Sequence, residues 1–129
     1  MRVTDDSRYD RGLEAYAHQL GVAREEVEPW FRERFGHRFG EEAINAAGGA
    51  WTSDGLSLRD RSLVVIAVLI AQGGVDARLR SHVRWAIEHG ATRAEIEALV
   101  TLLAVYIGYP RASVGMEVVR DELGDLDGS

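Results

Sequence analysis

Apolar positions along the chain recur at three- and four-residue spacing. Nowhere do they alternate with period two for long enough to make a strand. The pattern predicts an all-α protein, a single-domain bundle of about six to seven helices. Leu13, Tyr16, Ala17 and Leu20 define a first helix over residues 7–20, with Gly21 placed to end it. Val27, Trp30, Phe31 and Phe35 define a second over 24–39. Pro29 fits its first turns, and the Glu25-Glu26 pair suits the positive end of the helix dipole. A third covers 41–51, weakened by Gly48-Gly49. After a loop at 52–55, Ser57 and Asp60 form a capping-box variant that opens a helix over 58–72, closed by Gly73-Gly74. Asp76 is placed to cap a helix reaching His89, with Gly90 as its left-handed terminator. Thr92 and Glu95 form a Thr-x-x-Glu box that starts a helix reaching Ile107; Pro110 begins the last, ending near Leu123. The domain thus comprises an N-terminal helical part, 5–52, a core, 55–123, and a tail, 124–129, that should be disordered.

Two stretches, 63–71 and 98–107, are apolar on nearly every face. A chain of 129 residues has little interior in which to hide them, so a homo-oligomer is expected, with subunit contacts covering part of each. The run 63–71 is far shorter than the ~20 residues of a membrane span. The opening MRVTDDSRYDRG is polar and acidic, unlike a signal peptide. A cytoplasmic protein with no membrane partner is therefore expected. The net charge of −6, with the arginines spread among the acids, argues against a nucleic-acid partner. The chain has no cysteine and no lysine. The first absence excludes disulfides and thiolate chemistry; the second excludes Schiff bases and a phosphate-loop lysine. The histidines show no metal-ligand spacing, so no metal is expected.

With about 100° per residue, the helix over 76–89 places Leu79, Val83, Ala86 and Ile87 on one apolar face. Arg78, His82, Trp85 and His89 form a stripe on its flank. Such a stripe is either a subunit seam with a stacked Arg–Trp pair or a pocket wall offering an imidazole, a guanidinium and an indole. His89, at the helix end, suits capping of free carbonyls. His18 and His37 are assigned to the surface, and Glu88 to solvent. Arg59 and Arg61 lie in a first helical turn, where positive charge is mildly unfavourable. Either nearby acids offset them or one holds a carboxylate.

The order Arg61-Ser62-Leu63, an apolar helix, Ser81-His82-Val83-Arg84, Gly90-Ala91-Thr92-Arg93-Ala94-Glu95-Ile96 and Val105-Tyr106-Ile107-Gly108-Tyr109-Pro110 resembles the carboxymuconolactone decarboxylase family. Arg11-Gly12-Leu13, Leu20-Gly21, Trp51 and Gly55-Leu56 are similar to its N-terminal part. A peroxidase-like branch carries a Cys-x-x-Cys pair before the histidine. Here the histidine is His82 and the cysteine positions hold Val75 and Arg78, so the resemblance is to the cysteine-free branch and implies no peroxidase activity. Members of that branch typically carry a Trp-Gly pair where Ala47-Gly48 stands. They carry an arginine at the position of Ser53 and often a second histidine at that of Leu102.

The resemblance implies the family's helical fold, a trimer or hexamer, and a lyase of aromatic-compound metabolism that needs no cofactor. Its small-molecule substrate would be a cyclic or conjugated carboxylate or lactone. The carboxylate leaves as carbon dioxide, the electron pair passes into the unsaturated ring as an enolate, and a proton is delivered to carbon. An isomerase or cyclase could use the same enolate logic. By resemblance His82 is the acid–base group, with Arg61 and Tyr106 beside it as catalytic candidates. Arg78, Trp85 and Trp51 are substrate-binding candidates. The departures at Ala47, Ser53 and Leu102 support an alternative, a non-enzymatic oligomeric helical protein that binds a small ligand or a protein.

Overall fold

A computed structural model describes residues 5–52 and 54–126 of the chain. Among these are seven α-helices, one short 3-10 turn at Arg24–Glu26 and no strand, the all-α architecture that the periodicity predicts. The helices are α1 (Asp5–Leu20), α2 (Val27–Phe35), α3 (His37–Ala50), α4 (Leu58–Gln72), α5 (Asp76–Glu88), α6 (Arg93–Ile107) and α7 (Tyr109–Leu126). The chain divides after Gly55 into two compact units, each with its own apolar cluster.

The first unit holds α1 to α3 around Leu13, Val27, Phe31 and Ile44. The expected helix over 24–39 ends instead at Phe35, and the next begins at His37. Gly36, at φ 88°, makes the break with a conformation that L side chains avoid. The rings of Phe31, Phe35 and Phe39 continue in contact across it, at centroid separations of 5.9 and 5.1 Å. Their unbroken four-residue spacing is what makes two helices look like one. Nor does Gly48-Gly49 interrupt α3. A Cβ added at Gly48 would come within 2.8 Å of the carbonyl carbon of Arg8, and closer still to its oxygen; one at Gly12 would meet the carbonyl of Ile44 in the same way. The two glycines let α1 and α3 approach backbone to backbone, and that contact outweighs their poor helix propensity.

The second unit holds α4 to α7 around Ile66, Ile70, Leu79, Val83, Ile96, Val100, Val119 and Leu123. Ser62, early in α4, meets His89 at the end of α5, so these two helices run antiparallel. Three local signals act as expected. Ser57 Oγ accepts from the Asp60 N–H at 3.0 Å. Thr92 and Glu95 exchange both bonds of a capping box, at 3.1 and 2.9 Å. Gly90 ends α5 in a Schellman arrangement, its N–H donating to Ile87 O and the Ala91 N–H to Ala86 O. Two expectations are corrected. Val75, not Asp76, is the N-cap of α5, with no side-chain cap bond, and Asp76 sits in the first turn, where its charge still suits the dipole. The last helix continues three residues beyond Leu123, to Leu126, where a disordered tail was expected; 127–129 lie outside the described residues. Among the described residues, no helix is long and apolar enough to cross a membrane.

Candidate active site

α5 packs against α4 and α7. Leu79, Val83 and Ala86 are buried against them, and Arg78 stands exposed at the first turn. His82 is half-buried, with Nδ1 shut off from solvent. Burial first, and then the charge of Arg78 one turn away, lower its pKa below the usual 6.5. In the unliganded chain at pH 7 it is therefore a neutral imidazole. Trp85 is more enclosed than a flank position requires, at 4% exposure. Its indole lies between the two histidine rings, 5.8 Å from His82 and 4.6 Å from His89.

His89 does something other than the carbonyl capping expected of it. The Schellman bonds already engage the carbonyls of Ala86 and Ile87. The imidazole is instead hydrogen-bonded through Nδ1 to Ser62 Oγ, 2.8 Å away on α4. Ser62 is fully buried. No spacing rule would find this pair, because its members are 27 positions apart on different helices. The one available signal was a serine set just ahead of the apolar run of α4.

Arg61 is half-buried beside Ser62 in the first turn of α4. Its neighbour Arg59 is taken up by Asp60, at 2.6 Å, and by Glu95 at the start of α6. The Arg59 hydrogen bond, with the Thr92 backbone, holds the Glu95 carboxyl at about 2. The acids thus offset Arg59, as one expected alternative had it. Tyr106 is 79% exposed on α6, so packing does not account for it. Leu102, one turn earlier, is also exposed. In the first unit, Trp51 is half-buried as the C-cap of α3, and Ala47 is buried in the same helix. Ser53 lies outside the described residues. His18, His37 and Glu88 are exposed, as assigned. A groove of about 740 Å³ between α6 and α7 is lined by Val100, Ala104, Tyr109, Ala112, Met116 and Arg120 among others, and no residue of the α5 stripe lines it.

A second buried polar cluster had no sequence signal. Glu122 on α7, 6% exposed, receives Arg84 at 2.8 Å and Arg80 at 3.6 Å from α5. It ties the opposite side of α5 to α7 and fixes the helix that carries His82.

The sequence model of the carboxymuconolactone decarboxylase family matches residues 39–121. The chain belongs to the carboxymuconolactone decarboxylase family. It is 32% identical over 125 residues to the 4-carboxymuconolactone decarboxylase of Acinetobacter baylyi, covering 96% of this chain and 92% of that one. It is 35% identical over 91 residues to the nitrosuccinic acid decarboxylase of Metarhizium robertsii, covering 69% of this chain and 63% of that one. Both relatives are named for removing carbon dioxide from an organic acid.

Proposed function

We propose that this member of the carboxymuconolactone decarboxylase family is itself a decarboxylase, acting on a small carboxylate that carries its own electron sink. The observation that carries the reading is His82. It is a half-buried imidazole, held neutral by burial and by Arg78, at the position that resembles the family's histidine in a chain with two decarboxylase-named relatives. The bond to the carboxylate carbon breaks, its electron pair passes into a conjugated lactone or a comparable withdrawing group, and carbon dioxide departs. His82 then delivers a proton to the resulting carbanion and recovers one from solvent. An anionic substrate beside His82 opposes the effect of Arg78 and favours the imidazolium, so substrate binding loads the donor. Arg61 or Arg78 holds the anion, and the indole of Trp85 forms an apolar wall that discourages solvation of the leaving carboxylate. With the substrate as its own sink, no cofactor is needed for this step.

The site is completed in a homo-oligomer. Val64 and Val68 on α4 and Leu102, Val105 and Tyr106 on α6 are all more than half exposed. They lie on the two helices whose sequence is apolar on nearly every face, a surface suited to subunit contact. Water screens and competes for the hydrogen bond of an exposed phenol, so a catalytic part for Tyr106 requires a neighbouring subunit to cover it.

Purified protein is incubated separately with a γ-carboxylated butenolide and a 2-nitro dicarboxylic acid, and carbon dioxide release is followed. Turnover of either supports the decarboxylase. Absence of turnover together with saturable binding favours the ligand-binding alternative, to which the exposed Leu102 in place of a second histidine also points.

A further inference from the structure

We propose that Ser62 and His89 are positioning residues that hold the His82 imidazole in its reactive orientation through the indole of Trp85. The inference rests on the reading of His82 as the proton donor, and its geometry is independent of that reading. Four side chains form a continuous row. Ser62 Oγ on α4 engages Nδ1 of His89 at 2.8 Å, the His89 ring lies 4.6 Å from the Trp85 indole, and that indole lies 5.8 Å from His82. The ring pairs are tilted by 48° and 51°.

The fully buried Ser62 hydroxyl is costlier than an alanine there unless it makes a hydrogen bond, and its partner is His89. At the helix end, backbone N–H groups engage the carbonyls of Trp85, Ala86 and Ile87, and the His89 ring bonds across to Ser62 on α4. What the pair does is fix one edge of Trp85. With only two side-chain torsions and 4% exposure, the indole transmits that constraint to His82 nearly two helical turns away. A proton donor pays a large rate penalty for small misorientation, so a residue that fixes its ring acts on turnover without touching substrate.

The full chain carrying Ser62→Ala, labelled with ¹⁵N in its histidine rings, tests this. The expected result has three parts. The His82 titration midpoint rises toward the ordinary histidine value, the through-space contact between His82 and the Trp85 ring weakens, and kcat for carbon dioxide release falls about five- to tenfold with KM little changed. A folded Ser62→Ala variant in which the His82 midpoint and its Trp85 contact match the unsubstituted chain overturns the proposal. Should Ser62→Ala fail to fold, His89→Asn decides. It sits at a half-exposed helix end, keeps a polar group toward Ser62 and removes the ring from Trp85, and the same shifts are expected. If the unsubstituted chain turns over no substrate, the decarboxylase reading fails while the imidazole signals still decide the positioning role. If turnover is present and unchanged in folded variants, positioning fails and the decarboxylase stands.

Discussion

Replacing Gly48 with alanine inserts one methyl group into the contact between α1 and α3. On an exposed helix this change would stabilise by about 1 kcal/mol through propensity alone. Here the new Cβ would stand within 2.8 Å of the Arg8 carbonyl carbon, and that neighbour is backbone, which cannot rotate aside. Overpacking of a well-filled contact costs about 1–3 kcal/mol, and a backbone-to-backbone clash belongs at the upper end. The net expectation is a loss of about 2 kcal/mol. If the 129-residue chain melts as one cooperative unit, that loss lowers Tm by about 7 °C, and by roughly twice as much if the first unit melts alone. Two controls separate packing from propensity. At Gly49 the added Cβ meets only the flexible end of Arg8, so alanine there should change Tm little; at Gly124 it meets nothing, so alanine should raise it. Thermal melts followed by circular dichroism on all four proteins supply the test. A Gly48→Ala variant as stable as Gly124→Ala would refute the close α1–α3 contact.

Three further outcomes are expected. The folded pKa of His82 lies below its unfolded value, so its contribution to stability is full above the ordinary 6.5 and is lost as pH falls through the lowered value. His82→Gln should therefore flatten the pH dependence of urea midpoints below pH 6.5, and an unchanged slope would contradict the lowered pKa. Glu122→Ala leaves Arg84 without its buried acceptor and Arg80 with Asp121, and should cost about 2 kcal/mol, less than a fully buried pair because both arginines reach solvent; a loss within 0.5 kcal/mol, roughly the scatter of surface changes, would count against it. Light scattering at micromolar concentration should show an oligomer of three or more subunits, and a monomer would refute the case from exposed apolar surface on α4 and α6.

What could be seen in the sequence was local. The Thr92–Glu95 box, the Ser57 cap and the Gly90 terminator lie within a few residues of the backbone groups they satisfy, so their identities sufficed. The break at Gly36 was hidden by a phenylalanine ladder that ignores it, and the close contact at Gly48 depends on a partner 40 positions away. The stripe on α5 followed from helical geometry, but its depth did not. Spacing puts Trp85 on a flank, and only its tertiary surroundings bury it to 4% exposure. Ser62–His89 joins two helices, and no periodicity on either one carries it. Tyr106 shows the opposite limit. On a helix apolar all round, sequence offers no means of choosing which side faces out.

The role of His82 is tested most directly by measuring kcat for carbon dioxide release and Tm on the same samples of the unsubstituted chain and His82→Gln. If His82 delivers the proton, kcat falls about 10²- to 10⁴-fold while Tm at pH 7 moves by no more than a few degrees. If activity falls only in step with the folded or assembled fraction, or survives the substitution, His82 is not the acid and the proposed mechanism is wrong.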